Sequence, residues 1–399
     1  MLSPREGAGV PEVSFANLFF VSLIALCAPT VLGFFPRSGI PSVVVAIAAG
    51  VVLGPAGLKL IRVDSPLEIL ALLGLALLLF LAGLEIDVRR MRGHLLRAVL
   101  AGYGLTLVLS VLAGLLFDAL DWVRSPLLLA VTLSATSLGL VVPVLTDAGE
   151  AEGATGLRVL AAASVAEFGG VLMLSLLFST SGGSIGERIV MLVVFAALVA
   201  AVGVAVSLAG RSMRLGGVLR RLQDTTAELR VRAAVVLLIG FVVLAQMFGL
   251  ETILGAFVAG VIVGIVDHDT TTHPRFRAKL EAIGYGFLVP VFFITSGLQL
   301  DLRGLVASPS ALLRVPAFLL ALLIVHGVPA ALYVRAVGTR ASIAAGLLQA
   351  TSLPLIVVAA EIGVVQDLLS PVNAAALVGA GLLSTLIFPA AALALLRRS

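Results

Sequence analysis

The chain has 399 residues, of which 60% are hydrophobic and 12% charged. That is about half the charge of an ordinary soluble protein, so the composition points to lipid as the solvent. The single cysteine, Cys27, excludes a disulfide framework and any multi-cysteine metal site. The formal net charge of +4 and pI of 9.8 could suggest nucleic acid, but the placement of the basic residues excludes it.

A helix needs roughly 20 apolar residues to cross a bilayer. In chain order, such spans are predicted at 15–34, 40–56, 67–86, 97–117, 125–146, 157–179, 187–208, 232–250, 252–266, 281–299, 311–335, 341–362 and 372–395, about thirteen in all. The first lacks a basic leader and a small-residue cleavage site, and is expected to be retained. Leu26 before Cys27 is too large for a lipoprotein box. No intervening loop exceeds 25 residues, so one transmembrane domain over 1–399 is expected, without a soluble regulatory domain.

Lys and Arg favour the cytoplasmic side of short loops. Sorted by alternate loops, 19 of the 26 fall on one side, including Arg89, Arg90, Arg92, Arg220, Arg221, Arg275 and Lys279, and 7 on the other. A miscounted central span would scramble that division. It predicts a multi-pass protein of a prokaryotic inner or plasma membrane, N-terminus outside and C-terminus cytoplasmic.

The chain also resembles itself. Ala46–Gly54 in the second span is similar to Ala256–Gly264 in the ninth, Gly83–Arg89 to Gly297–Arg303, and Ala135–Leu138 to Ala350–Leu353. The offsets are 210, 214 and 215 residues, in the same order. Partner spans stand seven apart, an odd number, so they run in opposite directions. This predicts inverted repeats over about 15–179 and 232–395, joined by a linker helix at 187–208. Convergent low-complexity helix sequence is the alternative.

In folds of that kind the substrate site lies near the midplane, where Gly, Pro or small polar residues interrupt helices. The fifth span carries Thr136 and Ser137 followed by Gly139 and Pro143; the twelfth carries Thr351 and Ser352 followed by Pro354. Proline frees a carbonyl one turn back, and hydroxyls with freed carbonyls can replace part of a cation's water shell. Hydroxyls also pack helices in lipid; the symmetric placement favours two broken helices that cross.

Glu167 is the one acidic residue well inside a span, about 15 Å from the cytoplasmic end. A charge there costs about 2.5–3.5 kcal/mol on insertion scales. A buried carboxyl can hold a proton near neutral pH, so cation and proton can compete for it. Ser164 lies one turn away. His326 lies at a matching depth and is a possible charge partner, or a packing histidine. His268 and His273 read as part of a solvated loop, and Glu85, Asp87 and Asp301 as interfacial caps.

Over nearly its whole length the sequence resembles the Kef/NapA-type monovalent cation:proton antiporters, sodium/hydrogen exchanger-like. The resemblance is carried by Leu79–Arg89, by Ser134–Leu145 and by Leu254–Gly260. It implies an all-α NhaA/NapA-like fold with spans 5 and 12 discontinuous and crossed. It also implies a homodimer-forming panel and an elevator-like movement of the core. The family's usual acidic or amide neighbour of the essential acid is Ala166 here, many relatives have Lys or Arg where this chain has His326, and the nucleotide-binding domain of Kef-type channels is not expected. A single carboxylate tends to accompany electroneutral exchange in that family.

The residues thus predict a secondary antiporter of Na⁺ or K⁺ against H⁺, serving pH homeostasis. Glu167 is the shared ligand, Thr136, Ser137, Thr351, Ser352 and Ser164 complete the site, and no cofactor or resident metal is expected. The alternatives are a cation-coupled symporter of a small organic solute and a channel-like cation leak. No nucleophile–base set, metal cluster or phosphate loop suggests an enzyme.

Overall fold

The computed structural model describes residues 15–34, 41–86, 93–178, 184–211, 228–266, 274–307 and 309–396. Asp87, His268 and His273 lie outside them. The described residues form helices without a strand: α1 (Ala16–Gly33), α2 (Ser42–Leu53), α3 (Ser65–Leu84), α4 (Gly93–Ala119), α5 (Pro126–Ser134), α6 (Leu138–Asp147), α7 (Ala154–Phe178) and α8 (Ile185–Arg211) in the first half. Then follow α9 (Leu229–Met247), α10 (Thr252–Val266), α11 (Pro274–Ile283), a π-turn (Gly284–Leu288), α12 (Val289–Gln299), α13 (Leu302–Ala307), α14 (Pro309–Ala330), α15 (Val334–Val337), α16 (Thr339–Gln349), α17 (Pro354–Val365) and α18 (Pro371–Leu396).

Counted through their breaks, eleven helices among the described residues are long and apolar enough to cross a bilayer. Two shorter apolar helices, α2 and α10, stand where the second and ninth spans are predicted. Local chemistry sets several ends. Asp64 caps α3 by accepting from Leu67 N at 3.1 Å, ahead of Pro66 in the first turn, and is itself held by Asn17 Nδ2 at 2.9 Å. Ser125 caps α5 in the same way ahead of Pro126.

Two groups of helices result. In one, α3 packs on α10, and α2 on α12, with α1 and α9 alongside. In the other, α7 lies among α4, α5, α6 and α16, while α14, α16 and α18 pack on one another. The helix between the halves, α8, buries little of its surface.

The first group is held by backbone approach at glycines, four of which pair reciprocally. Gly50 of α2 abuts the carbonyl of Ile294, and Gly297 of α12 that of Ile47. Gly260 of α10 abuts the carbonyl of Phe80, and Gly83 of α3 that of Phe257. A methyl group at any of the four would run into those carbonyl oxygens. In lipid, where apolar burial drives little association, close small-residue contact is the main source of helix–helix attraction.

At one end of the second group, Arg314 lies over the Trp122 ring at 5.4 Å and donates to Asn373, which donates to the Trp122 carbonyl. These contacts tie α14 and α18 to the α4–α5 turn. At one end of the first group Glu85, just past α3, meets Arg277 of α11 at 3.6 Å; at its opposite end Asp301 caps α13 by accepting from Gly304 N at 2.9 Å.

Candidate functional site

The fifth and twelfth spans are both broken. After Ser134 the chain is extended at Ala135 and Ser137, and α6 restarts at Leu138. Opposite, α16 stops at Gln349 and α17 restarts at Pro354, which has no N–H to continue the preceding ladder. The two interruptions bond to each other: Thr136 Oγ1 donates to the Gln349 carbonyl at 2.7 Å, and Ser137 N to the Thr351 carbonyl at 3.0 Å. Backbone freed by one break thus satisfies the other, as helix interruptions within a bilayer require.

Small residues bring α7 against this crossing. A Cβ at Gly170 would press on Leu355 and Ala135, and one at Gly169 on the Tyr103 ring. Three residues before Gly170, Glu167 is 4% exposed. Its Oε2 accepts from Leu138 N, the first residue of α6, at 2.8 Å. The N-terminal end of a helix carries partial positive charge, so this position favours an anion. No other protein donor to that carboxylate occurs among the described residues.

Glu167 lines a cavity of 990 Å³ together with Ser137, Gly139, Pro143, Thr351 and Pro354. Tyr285 and Gly286 of the π-turn form part of the facing wall. The Ser137 hydroxyl makes no hydrogen bond to the protein among the described residues, whereas Thr351 Oγ1 donates back to the Leu347 carbonyl at 3.2 Å.

Other expected ligands stand apart from the cavity. Ser352 is buried with its hydroxyl unpartnered, and its backbone is held by Ser384, which donates to the Ser352 carbonyl and accepts from its N–H. Ser164 Oγ donates to the Leu160 carbonyl one turn back at 2.8 Å, a bond that packs α7. Thr136 spends its proton on the crossing.

His326 does not meet Glu167 in this structure. It is 1% exposed, and its Nε2 lies 2.9 Å from the Leu133 carbonyl, in the last turn of α5. The break at 135–137 leaves that carbonyl without a helical partner, and the imidazole N–H supplies one. Glu167 and His326 therefore address opposite ends of one interrupted span: the carboxylate at the start of α6, the imidazole at the end of α5.

Tyr285 was not singled out by the residue pattern, although a signal existed. The chain has three tyrosines, and each stands near a broken span: Tyr103 lies beside Ser134, Tyr333 beside Gln349, and the Tyr285 hydroxyl faces Gly139. Among the described residues, no three His, Cys, Asp or Glu side chains gather as a metal cluster would require.

The sequence profile of the transmembrane sodium/hydrogen exchanger family matches residues 22–397. The chain belongs to that family. Relatives of this chain include YjbQ of Bacillus subtilis, 29% identical over 394 residues that make up 95% of this chain and 62% of YjbQ. The chain thus spans less than two thirds of that relative. The Na⁺/H⁺–K⁺ antiporter GerN of Bacillus cereus is 29% identical over 300 residues, 73% of this chain and 74% of GerN. K⁺ efflux antiporter 2 of Arabidopsis thaliana chloroplasts is 26% identical over 314 residues, 76% of this chain and 26% of that one. In fold, the chain is similar to the sodium proton antiporter MjNhaP1 of Methanocaldococcus jannaschii, solved at pH 8. The TM-score is 0.64 and the identity 15%, over 95% of this chain and 96% of that one.

Proposed function

We propose that this exchanger carries Na⁺ or K⁺ against H⁺, one for one, with Glu167 holding either ligand in turn. The observation that carries the reading is the Glu167 carboxylate. It is buried beside two crossed helix breaks, held by one backbone N–H, and borders a cavity of 990 Å³. A proton or a monovalent cation neutralises it equally, and an empty carboxylate is the costly form to move through lipid. Requiring one ligand or the other is enough to couple the two fluxes. Ser137 and Thr351 supply neutral oxygens from the two breaks, and the exchanger needs no resident cofactor.

The helix group around α7 is the part that would move, elevator-like, against the group built on α2, α3, α10 and α12, within a homodimer. An inverted repeat supports this division. Gly50 and Gly260, Ile294 and Phe80, Gly83 and Gly297, and Ile47 and Phe257 are related by the offsets of 210 and 214 residues found in the sequence. Each of these four glycine contacts therefore has its counterpart in the other half. With the N-terminus outside, the cavity, lined also by Leu393 and Ala394 near the end of α18, opens to the cytoplasm. Most of its wall is Ala, Leu, Pro and Val, with few polar anchors for an organic solute, which favours antiport over symport.

Proteoliposomes loaded with a pH-sensitive dye and pulsed with Na⁺ or K⁺ test the proposal. Wild type dissipates an imposed pH gradient with at least one of the two, and Glu167→Gln does not. Exchange that survives Glu167→Gln, or cation flux without proton counterflow, would refute it.

A further inference from the structure

The wall facing Glu167 is built with unusual local geometry. The span from Arg275 to Gln299 is continuous, but over Gly284–Leu288 it widens into a π-turn, where Val289 N bonds to the Gly284 carbonyl five residues back. Pro290 explains the widening: it has no N–H for the Gly286 carbonyl, and its ring would clash with that oxygen in a regular helix. Gly284 packs so closely on α3 that a Cβ would meet the Leu81 side chain at 2.7 Å, whereas Gly286 has open space around it. Such turns re-aim the side chains they contain. Here the re-aimed side chain is Tyr285.

Tyr285 is 44% exposed although it lies within a membrane span, and the cavity shared with Glu167 is on its open side. Among the described residues, its hydroxyl is the only neighbour within 4 Å of a Cβ built at Gly139, at 3.6 Å. Gly139 is the second residue of α6 and lies next to Leu138, which donates to Glu167. Glu85, Glu281 and Glu167, in decreasing order, lie near enough to Tyr285 to interact with it electrostatically. Among the described residues, the Tyr285 hydroxyl makes no hydrogen bond to the protein. A phenol oxygen thus stands, without a protein partner, across the cavity from the carboxylate and on the helix group that does not carry it.

We infer that the Tyr285 hydroxyl is a cation ligand supplied across the cavity: it completes the oxygen shell of the monovalent cation held at Glu167 while the cavity is open. This rests on the exchange proposed at Glu167. The carboxylate and the Ser137 and Thr351 oxygens come from the broken helices and travel together; the phenol oxygen is fixed to α3 through Gly284. A cation in this cavity gains a neutral oxygen ligand that a proton on Glu167 does not use. Tyr285 therefore sets cation affinity on the open side and leaves the proton reaction unchanged.

Initial exchange rates in proteoliposomes, measured against cation concentration for wild type, Tyr285→Phe and Glu167→Gln, test this. Phenylalanine keeps the ring and its packing and removes one oxygen. Tyr285→Phe should raise the apparent KM for Na⁺ or K⁺ roughly three- to tenfold, the range that one neutral polar contact commands, with the maximal rate and thermal stability in detergent unchanged. An unchanged KM overturns the inference, and so does a fall in maximal rate or stability without a KM change, which is the mark of a packing role. If Glu167→Gln abolishes exchange while Tyr285→Phe matches wild type, the carboxylate mechanism stands and only the phenol ligand falls. If Glu167→Gln still exchanges, the underlying mechanism fails whatever Tyr285 does.

Discussion

At the scale of single residues, the structure changes the reading of His326. Depth alone had suggested a partner for Glu167, since both lie about midway through their spans. The ring instead serves the Leu133 carbonyl at 2.9 Å, an oxygen orphaned because α5 stops at Ser134. Removing a buried donor leaves its acceptor unsatisfied, at a cost of about 1–3 kcal/mol. His326→Leu is therefore expected to lower thermal stability in detergent by that order, while His326→Gln, which keeps an N–H near the same place, recovers most of it. Both variants should retain coupled exchange. A His326→Leu protein as stable as wild type but uncoupled would show instead that the ring acts on the transported charge. Sequence spacing fixes depth within a span but not which neighbouring helix a side chain faces. That is why Glu167 was legible as a buried acid and the partner of His326 was not. Tyr285 stayed hidden for a related reason: its aim depends on the π-turn that Pro290 imposes, and a hydropathy window does not register a re-aimed side chain.

At the scale of elements, the breaks were legible because their cause is local. Thr136 and Ser137 ahead of Gly139, and Thr351 and Ser352 ahead of Pro354, are poor at continuing a helix in lipid, and the observed interruptions fall on them. The tenth span is the contrary case. It was expected to begin near residue 281, yet the helix begins at Pro274. Arg275, Arg277 and Lys279 depress the hydropathy of α11 while leaving it able to fold as an amphipathic extension, with Lys279 bound to Glu228 and Arg277 to Glu281 and Glu85. The glycine contacts carry an element-level prediction. At Gly260 the obstacle to a methyl group is the Phe80 carbonyl, a backbone atom that moves only if α3 or α10 shifts as a whole. Overpacking of this kind costs about 1–3 kcal/mol. Gly260→Ala should therefore lower thermal stability by that order, and Gly50→Ala, its counterpart against Ile294, by a similar amount. At Gly240 of α9, where no atom lies within 4 Å of an added Cβ, alanine should be neutral. Equal stability of Gly260→Ala and Gly240→Ala would mean that the α3–α10 contact is looser than described.

At the scale of the whole molecule, what crosses the membrane with each half-cycle decides whether transport responds to voltage. Among the described residues Glu167 is the only buried acidic side chain at the broken helices, and Ala166 stands where a second polar group could have been. The helix ends beside it contribute partial charges that stay with the protein. Carrying a cation in one direction, the site moves as a neutral carboxylate–cation pair; carrying a proton in the other, it moves as a neutral acid. Neither half-cycle transfers net charge if His326 keeps one protonation state throughout. One net charge moved against 100 mV would alter the driving force by about 2.3 kcal/mol, enough to shift a transport equilibrium some fiftyfold. The prediction is therefore sharp. Vesicles given a diffusion potential of about that size with a lipophilic anion, which leaves Na⁺ and K⁺ gradients untouched, should reach the same final pH gradient at either polarity. A final gradient that moves with the sign of the potential would show that charge accompanies the core through the membrane. The first suspects would then be a titrating His326 or a stoichiometry other than one for one.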